Sequence, residues 1–271
     1  MNKKHYTLVI ILPLTSKDRE KINEFLNKHI EIQKENVLFL IKINDPTESN
    51  LIIKHDNVMM LSKPDSSLYN AWNQALDFLE QQAANISISY ITFLGIDDIF
   101  SIEFFQKIKL METESQNFDF IYGDALLRYK SSTTYSKSAN EPKLFSKNNF
   151  RFDIFHQGLI NRWKTIENQR FNENYKLAAD LDFYIGICAN NNITYKKIHM
   201  AQATIGCQGI SNSPRANHIY KKEWQEIANK RKIKLDNDHL RQKALELISK
   251  NERIYFLMRD TVWFFKKFLN K

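Results

Sequence analysis

Two adjacent aspartates, Asp97 and Asp98, close the apolar run "ISYITFLG" at residues 88–95. Like charges side by side repel, so a fold gains nothing from the pairing alone. A divalent cation changes that balance. Mg²⁺ and Mn²⁺ prefer oxygen ligands and commonly take one or two carboxylates together with substrate phosphates. Such an ion would offset the charge developing on a diphosphate leaving group. The competing role is structural: Asp98 is placed to cap a helix starting near Ser101, where the helix dipole favours both charges.

The elements that must position these acids alternate between strand and helix. "YTLVIIL" (6–12), "VLFLIKI" (37–43), "NVMML" (57–61) and "ISYITFLG" (88–95) read as four strands. Residues 17–33 place Ile22, Phe25, Leu26, His29 and Ile30 at helical spacing, and residues 67–83 do the same with Leu68, Trp72, Leu76 and Leu79. Strands that are continuously apolar are covered on both faces, and alternation with helices implies a parallel sheet with right-handed crossovers. In such sheets ligands sit beyond the carboxyl ends of the strands. Asp45 and the Asp97–Asp98 pair fall at such ends, and Asp65 falls just past one. Downstream, a helix is expected at 101–115, strands at 118–129, 154–162 and 193–206, a helix beginning within 178–188, and a charged helix over 218–250. The polar stretch 130–149 reads as a mobile loop.

The chain has 271 residues, 43% of them hydrophobic, enough for one large domain or one domain with an appendage. A formal charge of +8 suits anionic partners such as nucleotides or phospholipid head groups, and no nucleic-acid-binding motif accompanies it. Cys188 and Cys207 are the two cysteines, too few for a zinc ribbon or a disulfide framework. The opening "MNKKHYTLVIILPLTSKDRE" imitates a secretory signal, but Pro13 interrupts a short run and no small-x-small site follows, so Tyr6–Leu12 is read as a strand. No stretch approaches the ~20 apolar residues that span a bilayer.

"SKPDSSLYNAWNQAL…ISYITFLGIDD" resembles the family 2 glycosyltransferases of the GT-A fold, whose helix reads roughly Tyr-Asp-Ala-x-Asn-x-Gly ahead of a strand that closes on an acidic metal motif. "FDFIYGDALL" (118–127), "HQG" (156–158), "FNENYKLAADLDFYIGI" (171–187) and "GCQGISNS" (206–213) continue the likeness in the family's order, over about residues 6–230. Ser66–Ser67, Asn70 and Gln74–Ala75 depart from the pattern, as does "INDPTES", which lacks the usual glycine. The resemblance implies an α/β Rossmann-like, mostly parallel sheet flanked by helices, with a helical C-terminal extension. It implies that Pro13, Thr15, Asp45, Asp65 and Asp97 line a nucleotide, with Asp97 at the ribose or a metal-bound water and Asp98 coordinating Mg²⁺ or Mn²⁺ directly. Asp180 would be the general base of an inverting transfer, deprotonating the acceptor hydroxyl as it attacks the anomeric carbon. His156, Gln157 and Asp182 would lie on the acceptor side; Asp180 and Asp182, two apart, do not share a helix face. Each has a plainer alternative: strand end for Pro13 and Thr15, turn residue for Asp45 and Asp65, helix cap for Asp180, core histidine for His156.

The implied layout is a catalytic domain over 1–217, divided into a nucleotide half (1–100) and an acceptor half (101–217), and a helical extension over 218–271. Ile254, Leu257, Met258, Val262, Phe265 and Leu269 recur at helical spacing among five basic residues, which suits either a membrane surface or packing on the domain. The expected activity is transfer of a sugar from a nucleoside-diphosphate sugar, a UDP-sugar first among them. The expected acceptor is a hydroxyl of a glycan or lipid-linked acceptor in bacterial surface-polysaccharide or lipopolysaccharide synthesis. The expected place is the cytoplasm, peripheral on the inner membrane through 253–271. Two alternatives stand beside it: a non-catalytic glycan- or partner-binding module on the same scaffold, and a sugar-phosphate nucleotidyltransferase, which the glycine-free "LPLTSKDRE" disfavours.

Overall fold

The structure, a computed structural model, describes residues 3–45, 57–128, 134–137, 143–146, 149–151, 156–190, 192–206 and 214–233. Four parallel strands form its first half: β1 (Lys4–Leu14), β2 (Val37–Ile43), β3 (Val58–Ser62) and β4 (Ile86–Phe93). The sheet continues through β5 (Ile99–Phe100), β6 (Phe120–Arg128), β7 (Thr134–Lys137), β10 (Ile160–Arg162) and β11 (Tyr195–Gly206). The order is β3-β2-β1-β4-β10-β6-β11-β5, with β7 paired to the far end of β6. β10 is antiparallel to both neighbours, so β6 and β11 run in the sense of β4. The carboxyl ends of β1 to β4, β6 and β11 therefore share one edge of the sheet. A separate antiparallel pair joins β8 (Lys143–Ser146) to β9 (Asn149–Arg151).

Alternate residues of the apolar strands separate into two cores, which is why these runs carry no polar face. Val9 and Ile11 of β1 and Leu38 and Leu40 of β2 pack with Trp72, Leu76 and Leu79 of α2 (Leu68–Gln81) and Tyr184 of α5 (Ala179–Asn190). Leu8, Ile10 and Leu12 of β1 and Phe39 and Ile41 of β2 face the other way. They meet Phe25 and Leu26 of α1 (Ile22–Lys28) and Phe104, Phe105 and Ile108 of α3 (Ile102–Thr113). Each such side chain contributes about 1.5–3 kcal/mol when fully buried, so the double-sided sheet dominates the stability of the fold. A short helix, α4 (Trp163–Ile166), and α6 (Pro214–Arg231) complete the described elements. Among the described residues no helix is long and apolar enough to cross a membrane.

Pro13 lies inside β1, not at its end. Ile11 accepts from Leu94 on the β4 side, whereas Leu14 accepts from Asn44 beyond β2. Pro13 shares the parity of Ile11, so its missing N–H points past the last paired residue of β4, where no ladder bond is lost.

Several expectations need correction. The helix expected over 17–33 is a 3₁₀ segment (Ser16–Lys21) followed by the short α1; Ile30 is left exposed, as is Leu68 at the start of α2. The 130–149 stretch contains the backbone of β7, which pairs along the β6 edge beyond β10, and of β8, which pairs with β9 starting at Asn149. The strand expected over 154–162 shrinks to β10: His156–Gly158 form a turn, with Gly158 at φ +78°, where a side chain would be strained. The charged helix begins at Pro214, so the division at 217/218 falls within α6. The loop 46–56, the 207–213 part of the "GCQGISNS" segment, Cys207 and residues 234–271 lie outside the described residues, with the 253–271 membrane expectation among them.

Candidate active site

The shared carboxyl edge collects most of the acids singled out by sequence. Thr15 follows β1, Asp45 follows β2, Asp65 follows β3 and the Asp97–Asp98 pair follows β4. The edge lies where the order 3-2-1-4 reverses direction, the place at which doubly wound sheets take their ligands.

The two paired aspartates have opposite surroundings. Asp98 is buried, and both its oxygens point inward: Oδ2 accepts from the Gly95 amide at 2.7 Å and Oδ1 from the Gly206 amide at 3.0 Å. It thereby ties the exit of β4 to the end of β11. Burial raises its pKa to about 6 despite those two hydrogen bonds. It is not the helix cap either, since Ser101 receives the Phe104 amide at 3.1 Å and caps α3. The Asp97 side chain is 61% exposed, with Lys21 Nζ 3.8 Å from its Oδ1. Arg128 donates to the Asp97 carbonyl at 2.6 Å, and a Cβ on Gly206 would meet the Asp97 Cβ at 2.9 Å, so the backbone here is held tightly. The division of roles expected for the pair is thus corrected: Asp98 is committed to backbone amides, and Asp97 is the carboxylate left facing outward.

That arrangement bears on the implied cation. Among the described residues no group of three or more His, Cys, Asp or Glu stands together. Ions of the Mg²⁺ type do bind through one carboxylate when substrate phosphates and water supply the remaining oxygens. The residues fit an ion completed by a bound diphosphate with Asp97 as its protein ligand. They do not fit one held by both aspartates.

The other residues expected at the nucleotide mostly anchor loops. Asp65 accepts from Lys42 at 2.7 Å; Lys42 is fully buried and also donates to the carbonyls of Ile43 and Lys63. Asn44 binds the Asp65 backbone in both directions, at 2.9 and 3.2 Å. Asp65 is therefore a counter-ion that fixes the loop after β3, and its expected contact with the nucleotide is not free to form through the oxygen that meets Lys42. Asp45 is half-buried, and its carbonyl accepts from the Ser62 hydroxyl. Thr15 is exposed; its hydroxyl donates to Asp18 at 2.7 Å.

Asp180 lies in the first turn of α5, half-buried, with Oδ1 accepting from the Leu181 amide at 2.8 Å. Burial raises its pKa to about 6, against hydrogen bonds that include one from the Tyr69 hydroxyl of α2. A carboxylate so tuned is ionised at neutral pH yet basic enough to take a proton. Asp182 is not beside it: it is buried and paired with Arg231 of α6 at 2.7 Å. The acceptor-side expectation for Asp182 is corrected to a structural tie, as the two-residue spacing on a helix requires.

His156 is 8% exposed and packed among rings, 4.7 Å from Trp72 and stacked on Phe93 at 5.4 Å. Its Nδ1 meets the Tyr184 hydroxyl at 3.2 Å, and burial lowers its pKa to about 3, so the imidazole is neutral. It supports the wall between α2 and α5 and offers no charge to a phosphate. Gln157 is half-buried; it bridges Phe93, and its carbonyl accepts from Gln202 at 2.8 Å. Asn73, from the "YNAWNQAL" helix, binds the Phe171 backbone both ways at 2.8 and 2.9 Å and thereby joins α2 to the segment leading to Asp180.

Sequence reasoning missed Lys21, Lys42, Arg128 and Glu223. Lys42 carried a signal, a lysine inside an otherwise apolar run. The others had none for the contacts that matter here, because Asp97 lies far along the chain from Lys21 and Arg128, as do the 176–178 amides from Glu223.

No family model and no curated protein matches the sequence. Solved structures of residues 1–349 of S. aureus TarS are similar in fold. One of them has a TM-score of 0.54 at 15% identity, over 90% of this chain and 70% of that one. The complex with UDP-GlcNAc gives 0.55 at 15% identity, over 92% and 73%, and the complex with UDP gives 0.55 at 16%, over 88% and 69%. Identity at that level speaks for the fold. With its strand order, its two-sided core and this likeness, the chain has a mixed α/β, Rossmann-like fold shared with residues 1–349 of TarS.

Proposed function

We propose that the protein transfers a sugar from a nucleoside-diphosphate sugar, a UDP-sugar in the first instance, to a hydroxyl of a glycan or lipid-linked acceptor, with inversion. The observation that carries this reading is Asp180: a half-buried carboxylate with a raised pKa at the start of α5, in a fold shared with a protein crystallised with UDP-GlcNAc. Asp180 takes the proton of the acceptor hydroxyl as that oxygen forms its bond to the anomeric carbon. The bond from that carbon to the diphosphate breaks, and the leaving oxygen keeps the electron pair. Lys21 and Arg128 stand beside Asp97 and supply positive charge at that edge. A divalent cation, when bound, would offset diphosphate charge, with Asp97 as the residue that holds it. Cell-surface polysaccharide synthesis at the inner membrane is the setting proposed for this transfer, on the resemblance alone.

The test uses two readouts on the full chain: UDP affinity by calorimetry with and without Mn²⁺, and UDP release from UDP-GlcNAc with water as acceptor. Asp180→Asn is expected to slow release by about 10²- to 10⁴-fold while UDP still binds. Release unchanged in that variant would remove Asp180 as base. Absence of UDP binding under either condition would favour a non-catalytic module.

A further inference from the structure

We propose that Glu223 is the positioning residue for Asp180, which makes α6 part of the catalytic apparatus. The inference rests on Asp180 being the base. Glu223 is buried, and its carboxylate accepts three successive amides: Lys176 at 2.7 Å, Leu177 at 2.9 Å and Ala178 at 2.9 Å. Those amides lead directly into the first turn of α5, where Asp180 sits. Three bonds to one charged group fix the path of the chain there, and so the direction in which the Asp180 side chain leaves it.

The same face of α6 adds two further ties. Arg231 pairs with the Asp182 carboxylate at 2.7 Å and donates to its carbonyl at 3.1 Å. Its guanidinium lies against Gly186, where a Cβ would meet Nη2 at 2.9 Å. Only a residue without a side chain admits this approach without displacing the guanidinium. Between the two, Ile227 is buried in the core that also contains α5. Positions 220, 223, 227 and 231 recur at helical spacing, so one face of α6 runs along the base-bearing helix.

The titratable groups around Asp180 are Tyr69 from α2, Tyr184 from α5, and Tyr220 and Glu223 from α6. The Asp182–Arg231 pair is internally neutral. All three phenols have raised pKa values and stay protonated, so of these groups Glu223 carries the charge. A negative neighbour favours the protonated form of Asp180. Removing that charge lowers the pH at which Asp180 loses its proton, and the acid limb of the rate profile moves to lower pH.

The experiment compares Glu223→Gln and Glu223→Asp with the unaltered chain, by UDP release from UDP-GlcNAc as a function of pH and by UDP affinity. In Glu223→Gln, release is expected to fall by about 10- to 100-fold with UDP affinity unchanged and the acid limb displaced downward. In Glu223→Asp, which keeps the charge but cannot reach all three amides, release is expected to fall with the limb in place. A Gln variant with unaltered release, or with slowed release and an unmoved limb, overturns the proposal. Should the Gln variant lose UDP binding through misfolding, the Asp variant decides, and unaltered release in it overturns the proposal equally. Asp180→Asn, run alongside, locates a failure: full release there sinks the base and Glu223's role together, whereas slowed release there with full release in the Glu223 variants sinks only the latter.

Discussion

Around Asp97, charged side chains sit in loops that leave the sheet within a few residues of a strand end. Around Asp180, the partners arrive from α2 and α6, far away in sequence. On the carboxyl edge of the sheet the backbone does the placing: parallel strands ending together bring Thr15, Asp45, Asp65 and Asp97 to one rim whatever their side chains do. At the start of α5 the side chains do it. Glu223 grips the amides of 176–178, Arg231 grips Asp182, and Asn73 grips Phe171. A sheet edge of this kind tolerates changes in sequence, whereas the surroundings of Asp180 depend on particular pairs.

Three substitutions sharpen that contrast. Asp65→Ala has the largest expected effect, because it strands the fully buried Lys42 without a counter-charge. Breaking such a pair costs about 3–5 kcal/mol, read as a lower urea midpoint. Loss of UDP affinity without loss of stability would instead show that Asp65 acts on the ligand.

Asp98→Asn comes next, with a defined pH dependence. The folded pKa of Asp98, about 6, lies above the ordinary carboxylate value, so its contribution to stability is greatest at low pH and is lost as pH rises through 6. The destabilisation caused by Asp98→Asn should therefore be larger at pH 4 than at pH 7, by on the order of 2 kcal/mol. A difference of the opposite sign would mean that a charged Asp98 is favoured in the fold, as a metal ligand is.

Asp97→Asn is expected to change stability least, since the side chain is exposed and its neighbours hold the backbone. Its effect should appear as a loss of the Mn²⁺-dependent part of UDP affinity. Equal Mn²⁺ dependence in the variant would exclude Asp97 as the residue holding the ion.

The legibility of these features in the sequence follows the same contrast. Apolar runs and helical spacing sufficed for β1 to β4 and α2, because burial on both faces leaves a local imprint. They also sufficed to place four acidic positions at strand ends. The split between Asp97 and Asp98 was not legible: identical neighbours in sequence differ only in whether the Gly95 and Gly206 amides are within reach. Glu223 was invisible for the same reason, since nothing in a charged helix marks which carboxylate turns inward. β7 escaped notice because its pairing comes from the exposed end of β6, not from its own polar sequence.

Pro13 carries one more consequence. The ladder between β1 and β4 ends with Ile11 opposite Phe93 and the Leu94 amide on the Ile11 carbonyl, so the position two residues on has no β4 partner to meet. An ordinary residue in that place would carry an amide proton with no ladder acceptor, a donor that water would have to satisfy; proline removes that demand at the sheet's edge.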